Sequence, residues 1–165
     1  HPTHDQTYIT GKVCLLCPAM SVDWINADKH CRAVGKRLPT EAEWELAAGN
    51  SFKKSIYLSI NNKRPIANLV GQNDGFLSAA PVGSFPLGEG PYGTLDMIGN
   101  VWEWVDSKNL SPQKKIGPKK NRNYKVIKGG GWTSSLNFKA GSHRSVVAGS
   151  LKNPTFGFRC AKSIN

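Results

Sequence analysis

Apolar residues Trp24, Ala27, Cys31 and Val34 recur at steps of three and four, which predicts a helix over residues 22–34 with those four on its inner face. Ser21 or Asp23 can cap its start, and Gly35 suits its end. A second helix is predicted to begin at Thr40. In Thr40-Glu41-Ala42-Glu43 the threonine hydroxyl can accept the amide three residues on, while Glu43 reaches back to the amide of Thr40. Pro39 stops any earlier helix from running into this one, which continues through Trp44, Leu46, Ala47 and Ala48 to Gly49.

Beyond that point the period is lost. Residues 50–95 carry short apolar pieces among Gly, Asn and Pro, and read as long loops with brief strands; Gly83-Ser84-Phe85-Pro86 is turn chemistry. Val101 to Val105 alternates apolar, aromatic and acidic residues and suits a strand. Residues 107–123 are the least ordered by composition. Tyr124 to Ile127 reads as a strand running into the turn Gly129-Gly130-Gly131-Trp132, and Gly157 to Cys160 as a final strand. Two helices and short antiparallel strands make a loop-rich α+β fold. No repeat or internal linker divides it, so residues 21–165 are expected to form one domain behind an arm at 1–20.

With 17 Gly and 10 Pro the composition fits many turns rather than a helical bundle. No apolar run approaches the roughly 20 residues of a membrane helix. Charge changes the picture more. The 22 Lys and Arg against 11 Asp and Glu give a net charge of +11, which favours anionic partners. Lys108, Lys114, Lys115, Lys119, Lys120, Arg122 and Lys125 fall in one Pro/Gly/Asn-rich stretch, either a solvated loop or a docking patch. Nucleic acid is not the expected partner, because no binding module or aromatic–basic interleaving accompanies the charge.

Four cysteines sit at positions 14, 17, 31 and 160. Cys14-Leu15-Leu16-Cys17 suits half a zinc site, a redox pair or a local disulfide. A zinc site needs a second ligand pair of compatible spacing, and a thioredoxin-like pair needs a βαβ context; neither is evident. Four reduced, buried thiols are the remaining reading.

Three signatures in one order resemble the formylglycine-generating-enzyme (sulfatase-modifying factor) family, a variant of the C-type lectin fold. They are Arg37-Leu38-Pro39-Thr40-Glu41-Ala42-Glu43-Trp44-Glu45, Gly99-Asn100-Val101-Trp102-Glu103-Trp104 and Gly157-Phe158-Arg159-Cys160. The resemblance implies a disulfide Cys31–Cys160, with Cys14–Cys17 as a second, short bridge. Those bridges imply an oxidising location: periplasm, cell surface or secreted. It also implies calcium at Asn68, the Leu69 carbonyl, Asp74 and the Phe76 carbonyl, an all-oxygen donor set suited to a hard cation. A second candidate set is Asn100 and Glu103.

The family's enzymes carry two active-site cysteines that bind copper. Counting from Gly129-Gly130, those places fall at Ser134 and Lys139, and neither supplies the thiolate that selects Cu(I). No copper is therefore expected. His143-Arg144 lies downstream near Ser134, Ser135 and Ser142, yet a serine–histidine pair needs a meeting in space and an orienting third group. The expected function is a non-catalytic binding or scaffold module of the cell envelope, whose partner is a protein subunit or an acidic glycan. Its expected contact residues are Lys114, Lys115, Lys119, Lys120, Arg122, Ser134, His143 and Arg144. The alternative is a metal- or oxygen-dependent modifying enzyme with a rearranged site.

Overall fold

The computed structural model describes residues 14–49, 65–70, 74–107, 123–135 and 144–164. Among these residues the chain forms helices α1 (Trp24–Ala33) and α2 (Glu41–Ala48), a 3-10 turn at Pro86–Gly88, and four strands. The strands are β1 (Trp102–Trp104), β2 (Tyr124–Lys128), β3 (Arg144–Ala148) and β4 (Phe156–Phe158), in the sheet order β3-β2-β1-β4. None of the described helices is long and apolar enough to cross a membrane.

Both helices start where side chains can satisfy their free amides. Asp23 caps α1 by accepting the Asn26 N–H at 2.9 Å. Ala27 and Cys31 are buried as expected, but Val34 caps the helix end and is 53% exposed, so the predicted inner face is one residue too long. Gly35 follows at φ +70°, the left-handed turn a glycine takes at little cost. At α2 both arms of the capping box form: Glu43 N–H donates to Thr40 Oγ1 at 3.2 Å, and Thr40 N–H to Glu43 Oε2 at 2.8 Å. Arg37 places two guanidinium N–H groups on the same carboxylate, at 2.7 and 2.6 Å. The Arg37 bonds, then the Thr40 amide, hold the Glu43 carboxyl down at about 2. A depressed carboxyl stabilises the folded state above its unfolded value and loses that contribution as pH falls toward 2.

β1 is the central strand. It pairs antiparallel with β2 (Glu103 opposite Lys128, Trp104 opposite Ile127) and parallel with β4 (Trp102 opposite Phe156, Trp104 opposite Phe158). The sheet is therefore mixed, not purely antiparallel. The final strand is Phe156–Phe158, so the expected strand at 157–160 begins earlier and stops before Cys160. β3, at the sheet edge, was not expected from the sequence at all. It pairs with the whole of β2, from Tyr124 opposite Ala148 to Lys128 opposite Arg144.

Strand alternation sends neighbours to opposite faces, and each face meets one helix. Trp104 and Ile127 pack with Val22, Ala27, Cys31, Leu38 and Phe156 on the α1 side. Val105 and Val126 pack with Trp44 and Met97 on the α2 side. Trp104 is fully buried; its indole N–H donates to Val22 O at 2.7 Å and its ring meets Phe156 edge-on at 5.4 Å. A third cluster, Ile66, Ala67, Leu69 and Ile98, lies under the long loops.

Both expected disulfides are present. Cys31–Cys160 ties α1 to the residues after β4 across 129 positions, and Cys14–Cys17 closes a tight turn. In the chain-entropy model the long bridge contributes on the order of 4–5 kcal/mol and the short one about 2 kcal/mol. Replacing Cys31 and Cys160 together by serine is expected to lower the unfolding free energy at least twice as much as replacing Cys14 and Cys17, measured by denaturant titration. Equal losses would contradict the entropic assignment.

Candidate functional site

The long loops between α2 and β1 carry their own polar scaffold. Asn68 is buried and donates through Nδ2 to Ser78 O at 2.7 Å and to Asn100 Oδ1 at 3.3 Å. Asn100, also buried, accepts the Ala80 N–H at 2.9 Å and donates to Ala80 O at 3.2 Å. The two asparagines thus replace a strand partner for backbone that no sheet reaches. They approach closely because residue 99 is glycine: a Cβ there would stand 2.3 Å from Asn68 O. Gly99 and Asn100 both adopt positive φ, +70° and +58°.

Asp74 spans the neighbouring loop. Oδ2 accepts the Leu69 N–H at 3.2 Å and Oδ1 the Phe76 N–H at 2.9 Å. A carboxylate oxygen keeps a second acceptor site after one such bond. Both Asp74 oxygens thus keep an acceptor site while the turn stays intact. The second set fits poorly. Glu103 Oε2 already accepts Trp44 Nε1–H and Arg159 Nε–H, each at 2.6 Å, and Oε1 accepts Arg159 Nη2–H at 2.7 Å. Asn100 Oδ1 already takes two N–H groups. We assign no cation to Asn100 and Glu103.

Glu103 instead anchors a buried polar network that the sequence reading did not foresee. Its side chain is 6% exposed, and Arg159 covers it with a two-point ion pair. Arg159 Nη2 also donates to Leu95 O at 3.0 Å and to Asp96 O at 3.4 Å. Asp96 holds φ +57° and accepts the Gly83 N–H on Oδ2 at 2.6 Å. Burial pushes its carboxyl above the ordinary value, against the opposing pull of the Gly83 amide and the Arg159 charge. Acid–base spacing in the sequence gave no signal for this arrangement. Glu103 and Arg159 are 56 residues apart and meet only because β1 and β4 pair in parallel.

Ser134 does not lie on a contact surface, contrary to expectation. It is 7% exposed; its hydroxyl accepts the Gly131 N–H at 3.0 Å and its carbonyl the Val70 N–H at 2.9 Å. Its role is to close the glycine turn. Arg144 is exposed but committed, with Nε 2.9 Å from Glu41 Oε2. Lys114, Lys115, Lys119, Lys120, Arg122, Lys139 and His143 lie outside the described residues. Lys128, unremarked in the sequence, is 1% exposed and pairs with Glu45 at 2.7 Å beside the Trp44 ring.

Comparison with known proteins supplies the lineage. The model of the sulfatase-modifying factor enzyme 1-like domain matches residues 3–164. The inactive C-alpha-formylglycine-generating enzyme 2 of Bos taurus is 33% identical over 159 residues, covering 87% of this chain and 50% of that protein. The formylglycine-generating enzyme of Mus musculus is 35% identical over 169 residues, covering 87% of this chain and 44% of that protein. The chain thus spans half or less of the length of these relatives. Among solved structures, PvdO from Pseudomonas aeruginosa superposes with a TM-score of 0.69 at 23% identity, covering 93% of this chain and 64% of that one, a likeness of fold. The chain belongs to the sulfatase-modifying factor enzyme 1-like domain family.

Proposed function

We propose that this chain is a non-catalytic binding or scaffold module of an envelope or secreted assembly. One observation carries the reading: all four cysteines are consumed in two disulfides, so no thiolate remains to hold Cu(I). Ser134, at one of the places where the family's enzymes carry cysteine, is spent on its own turn. A relative described as inactive at 33% identity is in keeping with this. The disulfides also favour an oxidising compartment: periplasm, cell surface or extracellular space.

Asn68, the Leu69 carbonyl, Asp74 and the Phe76 carbonyl would hold calcium. When bound, that ion would pin two loop segments that the sheet does not reach. The basic stretch carrying Lys114, Lys115, Lys119, Lys120 and Arg122 is the proposed docking surface for a protein subunit or an acidic glycan, since a net charge of +11 steers anionic partners toward it.

Native mass spectrometry of the protein purified gently from its source tests the function. The expected result is a complex with further subunits, bearing calcium-sized mass increments and no copper. An uncomplexed chain holding copper or iron would contradict the reading and favour the metal-dependent enzyme. Reversing charge at Lys114, Lys115, Lys119 and Lys120 is expected to weaken association about tenfold or more at low salt and less at high salt, measured by interferometry. Unchanged binding would return that stretch to a solubilising role.

A further inference from the structure

A cleft of about 490 Å³ opens between the Cys14–Cys17 turn and the end of β4. Pro18, Val82, Leu95, Val101 and Phe158 give it apolar walls, and Asp96, Glu103 and Arg159 supply its charges. Glu103 and Arg159 neutralise each other. Asp96 makes no direct ion pair among the described residues: Arg159 donates to its backbone carbonyl and acts on its carboxyl only from a distance. The cleft therefore keeps one negative charge (Asp96 and Glu103 against Arg159), opposite in sign to the +11 of the chain.

The rim has a different character. Leu16 O accepts the Val82 N–H at 2.8 Å, which sets the disulfide turn against the cleft wall. Leu15 is 89% exposed, Leu16 68% and Val82 56%; Val82 lines the cleft and its backbone meets Leu16, so an exposed apolar strip adjoins the acidic floor. Exposed apolar groups gathered in this way mark contact surfaces more often than idle ones. The backbone points the same way. Three described non-glycine residues have positive φ, and two of them, Asp96 and Asn100, line this cleft. Such conformations persist where the surrounding structure enforces them, and they cluster at ligand clamps.

We propose that this cleft receives a lysine side chain from a partner polypeptide, its ammonium on Asp96 and its flanking apolar residues on Leu15, Leu16 and Val82. A long aliphatic stem suits the apolar walls, and a single ammonium suits the single unpaired carboxylate. The apolar strip selects a polypeptide over a free amine, because only a chain with residues flanking the lysine covers it. This site does not depend on the proposed basic docking surface.

The test uses the isotope-labelled 165-residue chain titrated with acetyl-Leu-Lys-Leu-amide, its norleucine analogue and n-butylamine. The lysine peptide is expected to shift the amide resonances of Gly83 and Asp96 and to bind at least tenfold more tightly than either control. Asp96→Asn is expected to lose at least tenfold in affinity with a melting temperature unchanged or raised. Asparagine tolerates the left-handed backbone and can still accept the Gly83 N–H, while removing a charge that is costly to bury unpaired. No shift at Gly83 and Asp96, equal binding of the norleucine peptide, equal binding of butylamine, or undiminished binding to Asp96→Asn would each overturn the proposal. A lower melting temperature for Asp96→Asn would overturn it too, by showing that the carboxylate serves the fold instead.

Discussion

The rest of the structure depends on the two-point ion pair between Glu103 and Arg159. On the α2 side of the sheet Glu103 has left water and Arg159 is partly withdrawn from it, and the exchange is favourable only because their bonding capacity is used. Glu103 takes two N–H groups from Arg159 and one from Trp44. Arg159 spends a further N–H on the Leu95 and Asp96 carbonyls. One pair thereby fixes a helix, the central strand, the C-terminal segment and the loop before β1. Removing either partner leaves an uncompensated charge, which costs about 3–5 kcal/mol where such pairs are buried.

The next residue in the chain restrains the other face. Cys160 joins α1 through Cys31, so consecutive positions 159 and 160 lock opposite sides of one sheet. The segments Trp102-Glu103-Trp104 and Phe156-Gly157-Phe158 are two halves of one device: parallel pairing aligns their aromatics and brings Arg159 to Glu103. Gly157 is required between them, because a Cβ there would stand 2.5 Å from Ala19 O, where the N-terminal segment crosses the strand.

Local signals were legible in the sequence and non-local ones were not. The capping box, the α1 start and the strand at Trp102–Trp104 each rest on residues within a few positions of one another. The disulfide pairing was legible only through family resemblance, since four cysteines allow three pairings. β3 was missed because Arg-Ser-Val-Val-Ala is a half-exposed edge strand with no clean alternation, defined by its pairing with β2. Ser134 was placed on the surface because spacing alone cannot show that a hydroxyl closes its own glycine turn. The network around Asp96 was invisible for a related reason: it joins residues 83, 96, 103 and 159, which only the finished fold brings together.

The most direct test of this account is a double-mutant cycle on Glu103→Gln and Arg159→Met, read by denaturant unfolding. The account predicts single losses of about 3 kcal/mol or more, and a double loss at least about 2 kcal/mol smaller than their sum, because each single variant strands the other's polar group. Single losses below about 1 kcal/mol that simply add would contradict it, and would move the centre of the structure to the disulfide and the apolar core.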